Sequence, residues 1–239
     1  MKFRFQRVSP IHVSPHNPKV IYHTSQYVHK TVDEGKTWEI ISPDLTAFEP
    51  EFQVVSGEPI TRDITGEEFY STIYSLRESP LQEGLIYVGT DDGVLNVTED
   101  GGSTWRRTTK FADVPDMSLI EDVLASQHDA DVVYMVIDNH KRGDYKPYVL
   151  KTADRGRTWQ PITGDLPERE IVYSLMQDHV KPELLFVGTE FGLYFTIDEG
   201  AHWIPLEGGF PTIQVRDLEI HRGMNDLAVA TFGRGFYIL

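Results

Sequence analysis

One eight-residue pattern recurs four times in this chain: Thr, any residue, Asp, any residue, Gly, any residue, Thr or a substitute, then Trp. The copies start at Thr31, Thr98, Thr152 and Thr196, and the last carries His202 where the others have Thr37, Thr104 and Thr158. All four tryptophans, Trp38, Trp105, Trp159 and Trp203, close these octets. Repetition of this kind restricts the chain to folds that stack one supersecondary unit.

The chemistry of the octet is that of a tight hairpin. Asp33, Asp100, Asp154 and Asp198 stand where a carboxylate accepts backbone N–H groups a few residues on. The glycine supplies a positive φ that other residues resist, and the tryptophan opens the next strand under a large apolar ring. These four aspartates are therefore read as turn-closing residues rather than as catalytic carboxylates or calcium ligands.

Upstream of each octet lies an apolar, β-branched or aromatic run, at residues 20–25, 85–90, 132–137 and 184–189. A fifth run at 227–231 has no octet after it. Bounded runs of this kind read as buried strands. Further strands are expected at 70–76, 120–125, 171–176 and 212–220, and short apolar segments follow each tryptophan. The unit is four antiparallel strands with the octet as the third-to-fourth hairpin. The octet starts are separated by 67, 54 and 44 residues, and the shortest spacing suits one blade of a β-propeller, about 40–45 residues. The expected fold is all-β: a propeller of four-stranded antiparallel blades, four complete and a fifth partial, forming a single domain over residues 1–239. Residues 2–6 alternate Phe3 and Phe5 with polar side chains and could close the last blade as its fourth strand; otherwise the ring is open, and its exposed edges would favour self-association.

Composition removes several functions. The 239 residues carry 22 Lys and Arg against 37 Asp and Glu, a formal net charge of −15. A phosphate backbone needs a basic face, so nucleic acid is excluded as a partner. With no cysteine there is no disulfide scaffold, zinc-thiolate site or cysteine nucleophile. No apolar run reaches the length of a membrane-spanning helix.

The octets resemble the Asp boxes of bacterial neuraminidase repeats. The segments SPIHVSPHNP, GEPITRDITG, NHKRGDYKPY and ATFGRGFYIL extend the resemblance to large bacterial proteins with a sortilin-type, glycosyl hydrolase-like propeller. The resemblance implies that this chain corresponds to the later blades of a larger propeller or to a shortened relative, and it suggests a secreted or periplasmic bacterial protein. It does not fix the chemistry, because sialidases, xyloglucanases, receptors and non-catalytic scaffolds share these boxes.

Strand order places the octet hairpins on one face and the second-to-third and fourth-to-first loops on the other. Sites of propeller enzymes in the resembled families lie on that second face. Asp91, Asp138 and Glu190 follow the same strand in successive blades and are the candidate catalytic carboxylates, since glycoside hydrolysis needs two flanking the scissile bond. Tyr27, Asp92, His140, Arg142, Tyr145, Phe191 and Arg234 are the candidate ligand-binding residues, with Arg62, Asp63, Glu67 and Glu68 contributed by a long connection at 43–69. Asp91, Asp92, Asp138 and Glu190 would offer hard oxygen ligands to calcium, but no EF-hand spacing supports this, and no cofactor or metal is expected. His12 and His16, beside a Ser-Pro turn, read as solvated turn residues. The leading expectation is a ligand-binding or scaffolding module for a carbohydrate or protein ligand, with glycoside hydrolysis as the alternative.

Overall fold

The apolar runs become strands because their alternate residues can be buried on two faces at once. The computed structural model describes residues 3–53 and 69–239, and in these the chain is an all-β β-propeller of five blades. The first blade holds β1 (Ile11–Val13), β2 (Ile21–Thr24), β3 (Val28–Thr31) and β4 (Glu39–Ile40). The second holds β5 (Ile73–Glu78), β6 (Ile86–Thr90), β7 (Leu95–Thr98) and β8 (Arg106–Thr108). The third holds β9 (Leu119–Ala125), β10 (Val133–Asp138), β11 (Tyr148–Thr152) and β12 (Gln160–Pro161). The fourth holds β13 (Val172–Gln177), β14 (Leu185–Thr189), β15 (Leu193–Thr196) and β16 (Ile204–Pro205). The fifth holds β17 (Val215–His221), β18 (Asp226–Thr231) and β19 (Phe236–Ile238). Every sheet runs in chain order, each strand antiparallel to the next.

Two compact units divide the chain: Met1–Thr109 with Asp116–Ile120, and Lys110–Pro115 with Glu121–Leu239. In the first, Tyr22, Val28 and Leu45 pack on Ile73, Leu76, Ile86 and Val88. In the second, one layer joins Tyr134, Val136 and Val149 to Val172, Leu175 and Val187. Another joins Met176 and Leu193 to Val215, Leu218, Ile220 and Val229. Glycines in the second strands permit these close approaches. A Cβ on Gly188 would stand 2.5 Å from both Ser174 Oγ and Val215 Cγ1.

The expectation of four blades plus a partial fifth is corrected to five. The last sheet has three strands, but it is a blade in its own right because β17, β18 and β19 pair antiparallel and bury Leu218, Ile220, Leu227 and Val229 against Met176 and Leu193 of the fourth blade. Nor do residues 3–6 form a strand. Arg4 is instead tied into the first unit, its side chain donating to Ser71 O at 2.9 Å and Asp44 at 2.8 Å, while Gln6 donates to Phe69 O. The side chains find polar acceptors in loops, and these outweigh the alternation. Lys2 lies outside the described residues. The strand expected from residue 70 begins at Ile73, because Ser71 takes a φ of 64°, which extended backbone cannot accommodate.

In the octets, positions four and five both take positive φ, as at Arg155 (60°) and Gly156 (77°), the geometry of a tight hairpin turn. Asp154 accepts Thr152 Oγ1 at 2.7 Å, Thr158 N at 2.8 Å and Thr158 Oγ1 at 2.6 Å. His202 takes over the role of the missing threonine, placing its Nδ1 2.7 Å from Asp198 Oδ2. Trp105 and Trp203 reach the preceding blade, donating their indole N–H to Ile41 O and Ile162 O. Trp38 stays 46% exposed and donates to Gly35 O within its own turn.

The reading of His12 as a solvated turn residue is also corrected, whereas His16 is exposed in a bend as expected. His12 Nε2 accepts the Glu78 N–H, and burial, helped by Arg77, lowers its pKa to about 4. His16 Nε2 lies 2.8 Å from Ser79 O. In the second unit His128 repeats that bond to Asp178 O, also at 2.8 Å.

Candidate functional site

The first strand of a blade is an edge strand, and in several blades it carries an irregularity near its start. The register shifts between Ile73 and Ser75, between Val172 and Ser174, and between Val215 and Asp217. A β-bulge of this kind sets one extra residue opposite the partner strand and re-aims its side chain. The bulged residues are Tyr74, Tyr173 and Arg216, each following a residue that is fully buried: Ile73, Val172 and Val215. In β9 the residue after the buried Ile120 is Glu121.

In the second unit these positions meet. Arg216 donates to Glu121 Oε1 at 2.9 Å and lies 4.2 Å over the Tyr173 ring. Tyr173 O–H donates to Glu190 Oε2 at 2.6 Å, and Gln214 Nε2 donates to the same oxygen at 2.8 Å. The chain of contacts therefore runs Glu121, Arg216, Tyr173, Glu190, Gln214. Burial pushes the Glu121 carboxyl up to about 7; Arg216 pulls it down, while Asp138 and Asp122 add to the rise. Burial and the Glu190 carboxylate raise the Tyr173 phenol above its ordinary value.

The three carboxylates singled out in the sequence are each engaged by protein groups. Asp138 is buried and accepts His140 N at 2.9 Å, with His140 Nδ1 beside its other oxygen. Glu190 is half-buried under Tyr173 and Gln214. Asp91 belongs to the first unit, where its oxygens accept Thr72 N at 2.7 Å, Thr72 Oγ1 at 3.0 Å and Gln6 Nε2 at 3.2 Å. Its carboxyl is pushed up to about 7 by burial, against the Thr72 hydrogen bonds and with help from Asp92. Asp92 accepts Ala47 N, Phe48 N and Thr90 Oγ1.

The remaining candidates divide into anchored and exposed groups. Tyr27 lies in the first unit with its ring edge-on to Phe3. Arg142 sits exposed in a 3-10 turn at His140–Arg142, and Arg234 is exposed in the turn before β19. Tyr145 is 43% and Phe191 55% exposed. Arg169 lies 5.3 Å over the Tyr145 ring, and its neighbour Glu170 accepts Phe191 N at 3.2 Å. Two exposed aromatics thus flank one short connection. Arg62, Asp63, Glu67 and Glu68 lie outside the described residues. Among the described residues no group of three or more His, Asp or Glu side chains could hold a metal ion, and no helix is long and apolar enough to cross a membrane.

Sequence reasoning missed Glu121, Tyr173, Gln214 and Arg216. A signal was present in the repeat itself, a buried β-branched residue followed by a large polar or aromatic one. It becomes legible only when the blades are aligned on their first strands.

Solved structures share this architecture. The GH74 xyloglucanase from Xanthomonas campestris superposes with a TM-score of 0.68 over 95% of this chain and 36% of its own, at 20% identity. An ancestral GH74 enzyme matches with a TM-score of 0.65 over 100% of this chain and 32% of its own, at 14% identity. YCF48 from Cyanidioschyzon merolae gives a TM-score of 0.56 over 99% and 66%, at 14% identity. A structure of YCF48 bound to D1 peptide gives 0.51 over 92% and 64%, at 15% identity. The likeness is one of fold. The chain spans about a third of the length of the GH74 structures it matches. No protein-family model and no curated protein matches it.

Proposed function

We propose that residues 1–239 act as one ligand-binding or scaffolding propeller module. Its octets are read as Asp boxes, and the face bearing Tyr145 and Phe191 is read as the binding face for a carbohydrate or protein ligand. The observation that carries this reading is the engagement of the candidate carboxylates. Asp91, Asp138 and Glu190 accept hydrogen bonds from Thr72, His140, Tyr173 and Gln214, so they hold loops in place rather than stand free to attack or protonate a substrate. Rigid loops on a repeat scaffold suit recognition, and a propeller fold alone does not imply catalysis. YCF48, a propeller of similar fold, has been seen with a peptide bound, which supports a protein ligand.

Glycoside hydrolysis is the second reading, favoured by Glu121. A carboxyl raised to about 7 with the Asp138 charge acting on it resembles the divided acid and base roles of a carboxylate pair. Glycan and peptide arrays separate the two. Retention of a ligand with unchanged mass, weakened in Asp138→Asn/Glu190→Gln, is the expected result. A cleaved glycan would overturn the binding reading in favour of hydrolysis.

A further inference from the structure

The chain has a formal net charge of −15, yet one surface of the second unit turns its cations outward and its acids inward. The loop joining β10 to β11 presents Lys141, Arg142, Tyr145 and Lys146 to solvent, and the connection leading into β13 presents Arg169. Across residues 138–147 and 168–170, Glu168 is the one exposed acid. The other acids there are engaged from within. Asp138 is buried and accepts His140 N. Asp144 accepts Tyr148 O–H at 2.6 Å and Asn139 Nδ2 at 3.2 Å on one oxygen, and Lys146 N at 3.3 Å on the other. Glu170 is buried and accepts Thr189 Oγ1 and Phe191 N.

Two aromatic rings stand in the same surface, Tyr145 on the third blade and Phe191 on the fourth. The Arg169 guanidinium covers one face of the Tyr145 ring and leaves the other to solvent. Phe191 has no polar side-chain atom and offers stacking alone. The face of such a ring is negative, and it attracts the slightly positive C–H groups that line one side of a pyranose.

The main-chain donors of both loops are already used. Arg142 N donates to Asn139 O and Gly143 N to His140 O, Lys146 N to Asp144 Oδ1, and Gly192 N to Thr189 Oγ1. These loops are therefore ordered before a ligand arrives, which lowers the entropic cost of binding. They also lack the open ladder that a peptide needs to add as a strand.

Building on the reading of the Tyr145 and Phe191 face as the binding face, we propose that this surface binds a polysaccharide of uronic acids. Its sugar rings stack on Tyr145 and Phe191, and its carboxylates meet Lys141, Arg142 and Lys146. The negative charge elsewhere on the chain does not oppose this at physiological ionic strength, where charges more than about 8 Å away are screened.

The probes are hexagalacturonate, its fully methyl-esterified form and hexaglutamate, each titrated into the full chain by calorimetry at about 0.15 M salt. Saturable binding of hexagalacturonate is expected, weakened roughly tenfold or more by Tyr145→Ala, by Phe191→Ala and by Lys141→Glu/Lys146→Glu. The melting temperature should stay unchanged in all three, because every side chain altered is exposed. Lys181→Glu, in the turn between β13 and β14 at the other end of the fourth blade, should leave the affinity as it is. Equal binding of the methyl ester would overturn the proposal, since the sugar would then be held without its charge. Equal or tighter binding of hexaglutamate would overturn it in favour of an acidic peptide. Absence of saturable hexagalacturonate binding would also overturn it; a chain that still retains a ligand on the glycan or peptide arrays would then keep the binding reading and lose the uronate, whereas one that retains nothing would lose both.

Discussion

Glu121 and Arg216 stand 95 residues apart in the chain and 2.9 Å apart in space. The carboxylate side chain is 6% exposed and the guanidinium 35%, so the acid depends on the base for compensation. Arg216→Met should cost about 1–3 kcal/mol, less than a fully buried pair because Arg216 keeps some water. The urea midpoint measures this. The double variant with Glu121→Gln should recover part of the loss, since the carboxylate left without its partner is then gone.

The raised carboxyls give stability a definite pH dependence. Glu121 titrates near 7 in the fold against an ordinary 4.5, and Asp91 near 7 against 3.8. Between those limits the folded state keeps protons that the unfolded state has released. Stability therefore falls as pH rises through this window and levels off above it. Melting temperature should be higher at about pH 5 than at about pH 7.5, and Glu121→Gln should flatten the difference. At the acid end the sign reverses. Hydrogen bonds from Thr104 and Thr98 hold Asp100 down at about 2, and the stability they bring is lost as pH falls from 3.8 toward that value.

Asp154→Ala tests the octet. Burial alone would raise this carboxyl, but hydrogen bonds from Thr158, Thr152 and the backbone outweigh it and hold the group below its ordinary value. Removing the acceptor releases Thr152, Arg157 N and Thr158. A loss of about 1–2 kcal/mol is expected, visible as a lower melting temperature with ligand retention on the array unchanged.

Gly188→Ala should destabilise by about 1–3 kcal/mol, because the added methyl meets Ser174 Oγ and Val215 Cγ1 at 2.5 Å and overpacking forces shifts in both. Gly223→Ala is the control. Its nearest neighbour, His221 Cε1, lies 3.4 Å away, and calorimetry should show little change.

The legible part of this protein was the part written in local chemistry. The octets announced the third-to-fourth hairpins because turn residues, positive φ and the closing tryptophan all fall within eight positions. The apolar runs announced the second strands. The run at 227–231 proved to be β18 even without an octet behind it. What stayed hidden depended on partners far along the chain. The register shift that re-aims Tyr173 is set by β14 opposite, and the Glu121–Arg216 pair spans three blades. The alternation in residues 3–6 looked like a strand, but Arg4 and Gln6 had stronger calls on loop acceptors.

Burial within a blade also sets the order in which it loosens. In the fourth blade β13 is buried along its whole length, whereas β16 is two exposed residues; β12 and β4 are equally short and exposed. Amide exchange in the fourth blade should therefore be slowest at β13 and fastest at β16, the sheet fraying from its outer edge. The octet hairpin is then the tether that returns the outermost strand to its place each time it opens.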